Sequence, residues 1–298
     1  IEILYFLKKM NINEGFFDEF THICFNGEGA VHYKSGHLIR FLGLLYLAKY
    51  KNKKVASINQ TVDLNNNIFL TKALVQIYNS CDFVSVREPI SYELLKNCGL
   101  NSCKIIPDAV YGLPILKDDF ISETVKKYNL EYKNYITMTG SSFLDRNNKS
   151  IKFFKNIIEF ILQEFKNKKI IFLSNAKTDF YLINKILTQQ PNLKEMIEII
   201  DSHQATFSEA MALIASSKIL VGGRQHPNIF AFIYKTPYLP LEGNTFKNLG
   251  VAKLQDYPIE PLSWSTDYNN FRSKIEEVLE LDPQAFKNLS IEKFNIFG

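Results

Sequence analysis

Residues 218–250 read KILVGGRQHPNIFAFIYKTPYLPLEGNTFKNLG, and the order of residue types in this stretch decides the fold. The apolar run 219–221 has the length of a short buried strand, and Gly222 and Gly223 stop it. Arg224, Gln225 and His226 follow at once, and Pro227 opens a helix expected over residues 228–234. A strand that turns through glycines into a helix presents backbone N–H groups, and the helix dipole there favours an anion. Arg224 adds a permanently charged planar fork, and His226 a group that exchanges a proton near neutral pH. The stretch is laid out as an anion site with an acid or base beside it. The plainer alternative is an ordinary strand-to-helix turn of an open α/β sheet, with a surface arginine and a capping histidine.

Working outward, the same alternation recurs. Strands are expected at 134–138 (NYITM), 169–174 (KIIFLS), 198–201 and 236–241, with helices at 150–166, 180–189 and 207–215. The turn after the first of these strands holds Ser141 and Ser142, which are candidate hydrogen-bond donors to a phosphate or simple helix caps. Lys247, after the turn that closes the last strand, is a candidate second anion contact or a helix-start lysine. His203 reads as a surface loop residue.

The first half repeats the theme, with strands expected at 21–25 (THICF), 54–59, 83–86 and 104–107 and helices at 38–50, 70–79 and 91–97. Gly27 and Gly29 flank Glu28 in a turn where glycines are expected to take positive φ. Such turns, at the carboxyl ends of strands, are where open α/β sheets place ligand groups. Glu28 is a candidate catalytic carboxylate or a solvated turn residue, and His32, Ser35 and His37 follow it. Arg87 stands where the third strand gives way to a helix, and Asp108 closes the fourth.

Repeated strand, polar turn and helix predict an α/β fold of two Rossmann-like domains with parallel sheets. The expected boundaries are residues 1–118 for the first domain and 132–264 for the second, with a linker in the weakly patterned 112–133, which also holds a polar helix near 122–128. An amphipathic helix at 267–281, within a last segment 265–298, is expected to pack back over the junction. The chain's 298 residues, 46% hydrophobic, are enough for two cores. A net charge of +4 without a basic block argues against nucleic acid and suits a small anionic ligand or a peripheral visit to an anionic membrane surface. Cys24, Cys81, Cys98 and Cys103 form no CxxC pair and have no histidine at zinc spacing, so neither a metal site nor a disulfide framework is expected, and a cytoplasmic setting fits. The opening YFLKKM is too short and too charged for a signal peptide, and residues are expected to precede Ile1.

Several stretches together resemble the polysaccharide pyruvyl transferase family: FNGEGAVH (25–32), KKVASINQTV (53–62), DFVSVREPISYELLKNCG (82–99) with PDAVYGL (107–113), and 205–247 around GGRQH. The resemblance implies a GT-B-like arrangement and transfer of a pyruvyl unit from phosphoenolpyruvate onto two hydroxyls of a sugar or lipid-linked saccharide, in surface polysaccharide synthesis, with no cofactor. It implies that Arg87 and Arg224 hold the donor's phosphate and carboxylate, that His226 is the acid/base, and that Gln225 lies against the donor mainly through its backbone. Ser141, Ser142 and Lys247 complete the expected donor side. Glu28 joins His226 as a candidate catalytic group, and His32 and Asp108 are assigned to the acceptor side. The family's usual opening strand and Asn-x-Gly-Asp turn are absent, and Gln225 stands where an apolar or small residue is expected. Two other readings stay open. One is a GT-B glycosyltransferase in which Arg224 and Lys247 grip a nucleotide diphosphate, Glu28 or His32 is the base, and Glu242 serves the ribose. The other is a non-catalytic module of a larger polysaccharide enzyme.

Overall fold

The computed structural model describes residues 14–29, 31–33, 38–142, 148–201, 203–282 and 286. The chain forms two compact units that divide between Ala109 and Val110.

The first unit runs β1 (His22–Glu28), α1 (Leu38–Tyr50), β2 (Lys54–Gln60), α2 (Ile68–Tyr78), β3 (Phe83–Val86), α3 (Pro89–Asn97) and β4 (Lys104–Ile105). Its sheet has the order β1-β2-β3-β4, every pair parallel, so all four carboxyl ends lie along one edge. Leu45, Val55, Leu74, Val84 and Leu95 form its core. Helix starts are set locally: the Asn67 side chain accepts from the Leu70 N–H before α2, and Glu88 accepts from the Ser91 N–H before α3, whose first residue is Pro89. Under the sheet edge the Gln60 carboxamide is a buried knot. Its Oε1 accepts from Tyr78 Oη (2.7 Å) and Ser57 Oγ (3.0 Å), and its Nε2 donates to the Ser85 carbonyl (3.0 Å). Gly27 lies directly against it, since a Cβ there would stand 2.5 Å from Gln60 Oε1. This corrects the expectation for the turn. Close approach, not positive φ, requires glycine at 27, and the left-handed residue is Glu28 itself, at φ 33°.

The second unit runs α4 (Asp118–Lys127), β5 (Tyr135–Ser141), α5 (Asn148–Glu164), β6 (Lys169–Ser174), α6 (Lys177–Gln189), β7 (Ile197–Asp201), α7 (Phe207–Ala215), β8 (Ile219–Gly223), α8 (Gln225–Ile233), β9 (Tyr238–Pro240), α9 (Lys247–Leu254) and α10 (Tyr268–Leu279). Its parallel sheet has the order β7-β6-β5-β8-β9. The chain builds outward from β5 in one direction and then returns to its other side with β8, so β5 and β8 flank the point where strand order reverses. Both faces are covered, and accordingly β5 and β8 are buried along their whole length.

Three local readings shift. The polar helix expected near 122–128 begins earlier, as α4 from Asp118, and packs on α7, with Lys127 bonded to Glu209 and Tyr128 Oη donating to the Gln204 carbonyl. Helix α8 begins at Gln225, three residues before the position expected, because Pro227 is tolerated in a first helical turn. Strand β9 starts only at Tyr238, because the Thr236 N–H is bonded back to the Ala231 carbonyl of α8 (2.8 Å) and its hydroxyl to the Ile214 and Ala215 carbonyls of α7. Helix α10, capped by Asp267, packs on α5 and β9. Among the described residues no helix is long and apolar enough to cross a membrane.

Candidate functional site

The reversal point between β5 and β8 is where chemistry gathers in the second unit. Gly222 and Gly223 end β8 as glycines because the neighbouring strand leaves no room for a side chain. A Cβ on Gly222 would stand 2.3 Å from Thr139 Oγ1, and one on Gly223 2.4 Å from the Cβ of Ser141. Their carbonyls are tied down by Asn228 Nδ2 (3.2 Å) and Asn248 Nδ2 (3.0 Å). The turn is therefore rigid where it delivers Arg224, the N-cap residue of α8, whose side chain makes no capping bond.

Arg224 reaches across to the first turn of α6. Its Nε donates to Asp179 Oδ2 (3.1 Å), and its Nη2 to Asp179 Oδ1 (2.7 Å) and Thr178 Oγ1 (3.2 Å). Asp179 is fully buried, whereas Arg224 keeps 21% of its side chain exposed. Burial pushes the Asp179 carboxyl above its ordinary range, against the pull of the guanidinium. The sequence reading missed Asp179. Its only local signal is an acidic residue in a first helical turn, shared with many helix starts.

At the start of α8, Gln225 is buried and its Nε2 has no hydrogen-bond partner among the described residues. Buried amide donors without partners are rare and costly in native folds. His226, the second residue of the helix, is half-buried beside it. Lys247 begins α9 after the turn that follows β9. Arg224, Gln225 and His226 thus stand consecutively at the first turn of α8, a guanidinium, a primary amide and an imidazole.

Ser141 and Ser142 have a different use from the one expected. Ser141 Oγ donates to the Glu242 carbonyl (3.0 Å) and Ser142 Oγ to Asn244 Oδ1 (2.8 Å). A hydroxyl has one proton to donate, so these two fasten the end of β5 to the loop after β9 and do not point a donor at a phosphate. The Glu242 carboxylate is likewise engaged, accepting from the Trp264 N–H at 3.1 Å.

In the first unit, Arg87 and Asp108 are both 3% exposed and form an ion pair at 2.6 Å, with Arg87 Nε donating to Thr61 Oγ1 at 2.9 Å. The expectation of a second open donor clamp at Arg87, and of an acceptor contact at Asp108, gives way to a buried pair that joins the ends of β2, β3 and β4. Beside it Glu88 is buried on the Ser91 N–H and hydroxyl, and burial raises its pKa. Glu28 is exposed at the end of β1, and His32 is half-buried where residue 32 bridges Asp63. Ser35 and His37 lie outside the described residues. Burial pushes the Cys81 and Cys103 thiols up to about 11, which disfavours their thiolates.

A family model for polysaccharide pyruvyl transferase matches residues 3–244. No curated protein matches. Among solved structures, UDP-GlcNAc 2-epimerase of Methanocaldococcus jannaschii, in complex with UDP-GlcNAc and UDP, is 14% identical, with a TM-score of 0.61 over 99% of this chain and 80% of that one. The UDP-GlcNAc 2-epimerase of Neisseria meningitidis bound to UDP-GlcNAc is 12% identical, with a TM-score of 0.66 over 96% and 78%. HepE of Anabaena, in complex with UDP and glucose, is 10% identical, with a TM-score of 0.59 over 98% and 78%. At these identities the likeness is one of fold, the GT-B α/β fold with two parallel sheets. The family match takes in the first unit's sheet edge as well as the β5–β8 reversal point and the Arg224 turn, and on it the chain belongs to the polysaccharide pyruvyl transferase family.

Proposed function

We propose that this chain transfers the pyruvyl group of phosphoenolpyruvate onto a pair of hydroxyls of a sugar or lipid-linked saccharide, forming a cyclic ketal in surface polysaccharide synthesis. The observation that carries the reading is the start of α8. Arg224 is held there partly open by Asp179, and the Gln225 amide is buried without a partner among the described residues. Phosphoenolpyruvate carries carboxylate and phosphate charge close together, which suits a guanidinium edge, helix N–H groups and an amide donor.

In this reading, one acceptor hydroxyl adds to the enol carbon while a proton reaches the methylene, which becomes the ketal methyl group. The second hydroxyl then displaces phosphate from the same carbon and closes the ring. His226 moves these protons, accepting from a hydroxyl and delivering to the methylene, and the helix start and Arg224 stabilise the departing phosphate. Loss of such an acid/base costs typically ~10²- to 10⁴-fold in rate. A cytoplasmic setting, with the acceptor offered at the inner membrane face, belongs to the same proposal.

The second reading is a nucleotide-sugar enzyme, favoured by one observation: the three fold neighbours named above were solved with UDP-GlcNAc, UDP or UDP and glucose. Against it, α8 carries no carboxylate after the anion turn, and Glu242 is already bonded to the Trp264 backbone. Thermal unfolding with each ligand separates the two. At 100 times its dissociation constant a ligand stabilises by about 2.7 kcal/mol. Stabilisation by phosphoenolpyruvate and not by UDP or UDP-sugars is the expected outcome, and the reverse pattern overturns the pyruvyl reading.

A further inference from the structure

We propose that Asp179 is a positioning residue for the anion site: it fixes the Arg224 guanidinium in one orientation, so that the edge left over is presented to the bound anion. The inference rests on the reading of Arg224 as an anion contact, and it is independent of which anion that is.

The geometry over-determines the carboxylate. Asp179 Oδ2 accepts from Arg224 Nε (3.1 Å) and from the Asn175 N–H (3.2 Å), while Oδ1 accepts from Arg224 Nη2 (2.7 Å). Neither oxygen can turn without losing a charge-assisted bond. Strand β5 gives up a side chain to make room, because a Cβ on Gly140 would stand 2.1 Å from Asp179 Oδ1. Thr178 Oγ1 takes a further bond from Nη2, so Nε and Nη2 are both engaged on α6, and among the described residues nothing engages Nη1. The guanidinium is thus divided into a held side and an available side.

Stability alone is a poor reason for this arrangement. Burying a carboxylate completely to pair it with an arginine that is itself mostly covered gains little over an apolar contact of the same volume. A long arginine that is otherwise free to sample many rotamers loses that freedom when it binds an anion, and a partner that removes the freedom beforehand improves affinity. The pair also occupies the reversal point of the sheet, where a misplaced guanidinium would leave the α8 N–H groups to hold the anion unaided.

The test is a double-mutant cycle on anion affinity. Dissociation constants of phosphoenolpyruvate, UDP and inorganic phosphate are measured by calorimetry for the wild type, Asp179→Asn, Arg224→Lys and the double variant, each checked for cooperative thermal unfolding. Lysine cannot reproduce the fork, so Arg224→Lys is expected to weaken the tightest of the three ligands about 10-fold or more. Asp179→Asn is expected to weaken the same ligand by a similar factor, and the double variant to lie within about twofold of Arg224→Lys, because Asp179 acts only through the arginine. Losses that multiply, or wild-type affinity in a folded Asp179→Asn protein, overturn the proposal. A wild type that binds none of the three overturns it too, since there is then no anion for Arg224 to meet. Should the wild type bind UDP and not phosphoenolpyruvate, the pyruvyl reading fails while the cycle, run on UDP, still decides the role of Asp179. If Asp179→Asn does not fold, Thr178→Val decides. Removing the second bond to Nη2 is expected to weaken binding about two- to threefold where Arg224 is retained and to change nothing when added to Arg224→Lys. Unchanged affinity in both backgrounds overturns the proposal.

Discussion

Gly140 shows how much the site depends on single atoms. A methyl group at that position meets the Asp179 carboxylate at Oδ1, Cγ and Cβ, within 2.1, 2.6 and 3.2 Å. Gly140→Ala should therefore lower stability by about 1–3 kcal/mol, the usual range for forcing volume into a packed interior, as read by urea denaturation. Arg87 offers a different single-residue test. Arg87→Ala leaves Asp108 charged and buried with its partner gone, and the expected loss is ~3–5 kcal/mol of folding stability. If Arg87 were instead an open donor clamp, the variant would unfold like the wild type and lose only ligand affinity. Asp82 gives a pH prediction. Its carboxyl is held well below the usual range, first by Lys49, then by the Val55 N–H and Lys54. A depressed carboxyl adds stability that is complete above the unfolded value near ~4 and disappears as pH falls towards the folded one. Wild type should thus exceed Asp82→Asn in stability at pH 7, and the gap should close in acid. It should also narrow in high salt, because the group is partly exposed.

At the scale of elements, helix α7 carries the clearest local signal. Thr206 accepts from the Glu209 N–H (3.2 Å), and the Glu209 carboxylate accepts from the Thr206 N–H (2.8 Å), which makes a reciprocal capping box. Thr206→Ala should cost about 1 kcal/mol, measurable as a shift in the denaturation midpoint. Such local pairs, and the alternation of apolar strand with amphipathic helix, are what made the two parallel sheets legible in the sequence. The β8–α8 turn was legible for the same reason, since its glycines, arginine, glutamine and histidine are consecutive. What was not legible depends on partners distant in the chain. Arg224 is paired with a residue 45 positions earlier, and Ser141 with a carbonyl 101 positions later. Nothing in the neighbourhood of Arg87 distinguishes a guanidinium buried on Asp108 from one open to a ligand. Both follow a strand and precede a helix, and only the fold says which is covered.

At the scale of the whole molecule, the family match spans both sheets, and the proposed donor site lies beside the reversal point of the second, at the start of α8. Its cation follows β8 as the cap of α8, its orientation comes from α6 and its rigidity from Asn228 and Asn248, so a change in any of these should lower donor affinity. In the first unit Glu28, a candidate catalytic group, is exposed, and His32, an acceptor-side candidate, is half-buried. The most direct measurement of the central claim is a crystal structure of the chain soaked with phosphoenolpyruvate. The account predicts a phosphate or carboxylate oxygen of the ligand within about 3 Å of Arg224 Nη1 and of the first N–H groups of α8, with the Gln225 amide also bonded to it. Phosphoenolpyruvate bound elsewhere, with that turn empty, would contradict it.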